Sequence, residues 1–279
     1  MTTTFDHLPP QVAAGLAEGT LAPYLGPGLL SLCEGPLPPA DPLALAATLA
    51  ARSSVPGKIR TRVTAVAQFI ENFKHRKTLV GLMGEAFATA PTPSPLHRWL
   101  AALPAPLIVD TWYDDTMRRA LSARSDWAEV QGLSQSEHFG TWTGWYGPDG
   151  AAAAAPMIAP TVLYKPWGGH APAANYLASD SDFVEVLTEI DIQTPIPALV
   201  QQRRTSLGFM FLGCRFNDQL PRAFARQITK RSGGRHWAVL PDEPTRMELR
   251  FLEEAGITRI NLPLAEVAAA LTGQHAVAA

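Results

Sequence analysis

Three short stretches of this chain place polar or glycine residues directly after apolar runs, the arrangement in which a buried strand hands chemistry to the end of a sheet. "LAPYL" at 21–25 runs into Gly26-Pro27-Gly28, "APLIVDTWYDD" at 105–115 ends in Asp110, Asp114 and Asp115 around Trp112, and "TVLYKPWGGH" at 161–170 ends in Trp167, Gly168, Gly169 and His170. A glycine pair after a first strand lets backbone N–H groups approach a phosphate at the start of the next helix. "GPG" is not the Gly-x-Gly-x-x-Gly fingerprint, and a Pro-Gly turn that simply ends a strand satisfies the same residues. The acidic residues and His170 are candidates for acid–base work. They also suit plainer roles, Asp114 and Asp115 as a helix N-terminal pair ahead of "TMRRAL" and His170 as a solvated loop residue.

The elements that must position these groups follow from hydrophobic patterning. Residues 8–19 read as a leading helix, and residues 41–103 are mostly helical. Within them Val63, Val66, Ala67, Ile70 and Phe73 share one helical face, and a second helical stretch covers about Thr78 to Phe87. "SLGFMFLG" at 206–213, "RHWAVLP" at 235–241 and "GITRINLP" at 256–263 supply three more apolar runs, with helices between them. Six such runs alternating with helices predict an α/β fold, a Rossmann-like, doubly wound, mostly parallel six-stranded sheet. The whole chain, 1–279, reads as one domain with a helical insertion at about 41–103 and a lid segment at about 120–158. In that lid, "HFGTWTGWYGPDG" packs Phe139, Trp142, Trp145 and Tyr146 among glycines, and five of the seven tryptophans fall between 112 and 167. Such a loop predicts either a cover for a planar ligand or a contact surface for another protein.

Composition narrows the class. A length of 279 residues with 47% apolar content supports a large core, and a formal charge of −2 gives no general attraction to nucleic acid or anionic membrane. Cys33 and Cys214 are too few for a disulfide framework or a metal site, and no apolar stretch is long enough to span a bilayer. The reading is a cytoplasmic protein without bound metal. Arg222, Arg226 and Lys230 recur every four residues, as an anion site or a solvated helix face would.

Taken together, the segments resemble the sirtuin-like NAD-binding superfamily, in particular its bacterial NAD-cleaving members. "YLGPGLLSLCEGPLP" is similar to that family's Gly-Ala-Gly-x-Ser loop, "SPLHRWLAALPAPLIVDTWYDD" to its His-x-x-Leu-Ala helix and Thr-x-Asn-Tyr-Asp strand end, and "VLYKPWGG" to its Lys-x-His-Gly. "NYLASDSDFVEVL" falls at a Leu-Thr-x-x-Asp-Tyr stretch and "FMFLGCRFNDQL" at Phe-x-Gly-Tyr-Ser-x-x-Asp. The resemblance implies a dinucleotide ligand, NAD or a relative such as FAD, held by Gly26, Gly28, Trp112, Asp114, Trp167, Gly168, Gly213 and Asn217. It assigns His97 to packing and capping.

The departures from the family fall on its catalytic positions. Trp112 stands for the Asn that positions the nicotinamide ribose and water, Trp167 for the His that acts as base, and Leu30 for the loop Ser. An indole donates a hydrogen bond but has no lone pair to take a proton near neutral pH. A positioned base contributes about 10²- to 10⁴-fold, so its loss would make hydrolysis by the family's route marginal. The resemblance therefore implies a sensor, cofactor carrier or pseudoenzyme subunit, with the two indoles either stacking on a ligand or plugging the pocket. The alternatives are a rewired NAD-cleaving or deacylating enzyme using His170 with Asp110 or Asp114, and a protein-interaction module. In the last case the 139–146 segment would meet a partner protein or a second copy in a homo-oligomer. "PYLGPGLL" also resembles a subgroup associated with bacterial nitrogen-fixation gene neighbourhoods.

Overall fold

Apolar runs that are buried on both faces become central parallel strands, because helices must then cover both sides of the sheet. The computed structural model describes residues 3–134, 141–189, 196–241 and 243–273. Leu21–Leu25 (β2), Leu107–Asp110 (β3), Thr161–Lys165 (β7), Gly208–Leu212 (β10) and His236–Val239 (β11) are buried at every position. With Ile257–Ile260 (β12) they account for the six predicted strands.

The sheet has ten strands, not six. Its order is β1-β12-β11-β10-β2-β3-β7-β4-β5-β6, with Thr4–Phe5 (β1), Trp127–Gly132 (β4), Thr143–Tyr146 (β5) and Ala152–Ala153 (β6) as the additional members. The pairings from β1 through β4 are parallel, and β5 and β6 add an antiparallel edge. The predicted lid is thus, in its described part, sheet: Trp145 and Tyr146 are buried on β5, and Trp142 is half-buried. Phe139 lies outside the described residues. "WAEVQG" escaped the sequence reading because Glu129 and Gln131 interrupt its apolar run. Both are nevertheless fully buried, since Arg118 pairs with Glu129 and Gln131 Nε2 bonds Glu129 Oε1 at 2.6 Å.

Strand alternation divides the core. Leu25, Ile108, Leu163 and Met210 face Pro10–Ala17 (α1), Pro95–Ala102 (α4), Thr116–Leu121 (α5) and Leu264–Thr272 (α10). Tyr24, Val109, Tyr164 and Phe211 face Ala198–Arg204 (α7), Gln219–Thr229 (α8) and Arg246–Glu254 (α9). A third cluster joins the helical insertion, Pro42–Ala51 (α2) and Val63–Ala86 (α3), with Asp180–Glu189 (α6), and closes over the carboxyl ends of the strands. Helix α3 buries Val66, Ala67 and Ile70 as its spacing predicts, but Phe73 is 71% exposed. The helix breaks at His75 (φ 71°, ψ 153°), which rotates the apolar stripe so that Leu79 and Met83 continue it.

Candidate functional site

The chain leaves β2 on one side of the sheet for β3 and returns on the other at β10, so the switch point where such sheets bind ligands lies between β2 and β10. Gly26 and Gly28 sit there, but their N–H groups are already committed. Gly26 N donates to Leu212 O and Gly28 N to Gly213 O, both at 2.9 Å, and Leu29 N turns back to Gly26 O at 3.1 Å. A Cβ on Gly26 or Gly28 would fall 2.6 or 2.8 Å from Gly213 O, and one on Gly213 (φ 67°) would fall 2.4 Å from Leu29 N. These glycines let two loops touch backbone to backbone. The chain then enters a 3-10 turn, Pro27–Leu32, in place of an α-helix.

Asp110 and Lys165 end neighbouring strands in adjacent register and meet beneath this loop. Lys165, 1% exposed, donates from Nζ to Asp110 Oδ2 (2.6 Å), Trp112 O (2.7 Å) and Asp114 O (2.9 Å), which satisfies all three ammonium protons. Asp110 Oδ1 accepts Trp112 N at 3.1 Å. Burial pulls the Lys165 ammonium down, but Asp110 and Asp114 more than offset it and hold it above its ordinary value. Burial also pushes Asp110 up to about 6, against the opposing pull of Lys165. Asp110 therefore serves as the anchor of an ion pair. Sequence reasoning passed over Lys165; the signal was a lysine closing an otherwise apolar strand.

Asp114 accepts Thr116 N at 3.0 Å through Oδ2 and so starts α5, the helix-terminal role foreseen for it. His170 bonds Tyr176 O–H through Nδ1 at 3.0 Å, and its N–H donates to Tyr113 O; neither atom reaches Asp110. No hydrogen bond joins His170 to Asp110 or Asp114 among the described residues. Gly168 (φ 71°) starts a small hairpin, Gly168–Gly169 (β8) with Asn175–Tyr176 (β9), where a Cβ would lie 2.2 Å from Asn175 O. Asn217 is exposed, and Asp218 caps α8 through Gln219 N. Arg222 bonds Phe216 O and Arg226 pairs with Glu254, so the basic stripe is spent on its own fold.

The two tryptophans are core residues here. Trp112 is 1% exposed and donates Nε1 to Pro39 O at 2.7 Å; Trp167 is 7% exposed and its Nε1, buried, has no partner among the described residues. Tyr113 stands between them, with ring centroids 5.2 Å from Trp112 and 6.2 Å from Trp167, and bonds Leu177 O through its hydroxyl at 2.6 Å. Phe87 covers the Trp112 end, and Phe183 and Phe224 cover the Trp167 end edge-on. The helical insertion thus packs onto a continuous aromatic plug.

Beside the plug a small pocket is lined by Gly26, Leu29, Leu30, His97, Asp110 and Asp114. His97 is held by Ser94, whose Oγ lies 2.7 Å from Nδ1 and which also caps α4, and burial pushes the imidazole down to about 4, leaving it neutral at pH 7. The pocket has room for about one ordered water. The N–H groups of Gly26, Gly28 and Leu29 beside it are all engaged within the chain. At the outer end of the switch point Gly213 is half-buried and Asn217 is exposed.

No curated protein matches the chain. The SIR2-like domain family matches residues 106–260, the stretch from the start of β3 to the end of β12 that contains Asp110, both tryptophans, Lys165 and Gly213. With that match over more than half its length, joined to a doubly wound sheet whose strand ends carry the matching segments in order, the chain belongs to the SIR2-like family.

Proposed function

We propose that this chain is a non-hydrolytic SIR2-like protein, a pseudoenzyme subunit that uses the family's nucleotide-binding scaffold without cleaving NAD. The observation that carries the reading is the pair of buried indoles at the two positions where the chemistry needs an amide and a base. Neither can accept a proton, and Tyr113 packs between them. Its role then lies in what it binds. A second reading, non-catalytic capture of NAD or a related dinucleotide such as FAD, is favoured by the accessible outer end at Gly213 and Asn217.

Denaturing the purified chain and identifying released small molecules by absorbance and mass spectrometry, alongside a nicotinamide-release assay with added NAD, tests both. The expected result is nicotinamide release no faster than in protein-free buffer. Recovery of near one nucleotide per chain selects the capture reading, and an empty chain that ignores added NAD selects the plugged scaffold. Turnover that disappears in His170→Ala would overturn the proposal in favour of a rewired enzyme.

A further inference from the structure

On helix α3 an aromatic pair runs from the edge of the core, at half-buried Phe69, out to the surface at Phe73. Phe69 and Phe73 lie one turn apart with ring centroids 4.6 Å apart, and Phe73 is 71% exposed, an unusual position for an aromatic in a monomeric surface. The next residues, Lys74, His75 and Lys77, are exposed, and neither lysine has a carboxylate partner among the described residues. The nearby acids are engaged elsewhere. Arg76 takes Asp182 at 2.7 Å and Glu71 at 3.4 Å and also bonds Tyr176 O, which ties this stretch to α6 and the β9 hairpin.

The backbone adds a second, independent observation. His75 is held at φ 71°, ψ 153°, a conformation that costs energy for any residue with a Cβ and persists only where the surroundings impose it. The break turns Lys77 into a first-turn residue of the following helical half, where a cation opposes the helix dipole. Lys74, at the end of the preceding half, is favoured by that half's dipole; Lys77 is not, and no ion pair among the described residues compensates it. A strained backbone that sets out an aromatic anchor with unpaired cations beside it matches a surface built to meet a partner.

We propose that the Phe69–Lys77 ridge is a docking surface for an acidic segment of a partner protein that carries a large apolar anchor residue. The apolar anchor packs on Phe69 and Phe73 while its acidic flanks pair with Lys74 and Lys77. This deepens the subunit reading by naming the partner's chemistry, and the nicotinamide-release assay tests that reading separately.

The test is selection of a displayed random twelve-residue peptide library on the immobilised full chain, followed by anisotropy titration of the enriched peptides against wild type, Phe73→Ala and Lys77→Glu. Both substitutions are at exposed positions, and unchanged circular dichroism and thermal midpoint confirm folding. The expected result is enrichment of peptides combining Asp or Glu with an aromatic or large aliphatic residue. Their binding should weaken roughly tenfold or more in each variant and fall with added salt. No enrichment over Phe73→Ala, or enrichment of neutral or basic peptides, overturns the proposal. Binding of single-stranded DNA that Lys77→Glu abolishes, or a dimer in sedimentation velocity that Phe73→Ala dissociates, overturns it in favour of nucleic acid or a second copy of the chain.

Discussion

Trp112→Phe and Trp167→Phe make the same chemical change at two ends of one aromatic plug, yet the structure assigns them opposite signs. Each substitution leaves a ring in place and removes part of a buried side chain, at a cost of roughly 1 kcal/mol in lost packing. Trp112 also loses the bond from Nε1 to Pro39 O at 2.7 Å, about 1 kcal/mol more. Trp167 instead sheds a buried N–H that has no acceptor among the described residues, a burden of about 1–3 kcal/mol in the native protein. The expected outcome is destabilisation of about 2 kcal/mol for Trp112→Phe and a change between zero and about 2 kcal/mol of stabilisation for Trp167→Phe. Urea unfolding followed by far-ultraviolet circular dichroism measures both, with unchanged slopes confirming that the unfolded states are comparable. A Trp167→Phe protein as unstable as Trp112→Phe would mean that the Trp167 N–H is satisfied, and the reasoning about the plug would fail.

Three further outcomes follow from the site and its supports. Lys165→Met should cost about 3–5 kcal/mol by stranding the Asp110 carboxylate, and adding Asp110→Asn should recover most of it; equal urea midpoints for the single and double variants would contradict the ion-pair account. Gly213→Ala should destabilise by about 3 kcal/mol or more, because its Cβ meets Leu29 N at 2.4 Å, whereas Gly256→Ala, at a similar φ of 63° with nothing within 4 Å, should cost only about 1 kcal/mol. Thermal denaturation of the two separates contact from backbone strain. Glu248 is buried, which alone would raise its pKa, but two bonds from Arg215 and the N–H groups of Thr245 and Phe216 bring it down to about 2. Its folded value lies below the unfolded one, so its contribution is present above about pH 4.5 and is lost as pH falls toward 2. Glu248→Gln should lower stability at pH 7 by about 2 kcal/mol, discounted for the exposure of Arg215, and should flatten the acid limb of a stability–pH profile.

Much of the framework was legible without coordinates. Six buried strands announced themselves as apolar runs bounded by Gly and Pro, since strands covered on both faces need no polar alternation, and the helical insertion followed from its 3.6-residue period. That Trp112 and Trp167 cannot serve as bases was equally plain, because an indole cannot accept a proton near neutral pH wherever it lies. Strand β4 was missed because its glutamate and glutamine are buried only by virtue of Arg118 and each other, a compensation invisible to local hydrophobicity. The antiparallel edge was mistaken for a lid because aromatic residues among glycines fit both.

Residue type alone determined that Trp112 and Trp167 cannot take up a proton near neutral pH; which groups surround them was a matter of packing. The fold sends Tyr113 between them and Phe87, Phe183 and Phe224 around them, through contacts between residues up to 57 positions apart in the chain (167 to 224). The glycines tell the same story. Gly26 and Gly28 mark a place where a side chain is forbidden, but only the return of β10 beside β2 shows that the intruding atom is the carbonyl of Gly213. A sequence records which groups can donate, accept or fit, and the tertiary structure decides which partner arrives to use them.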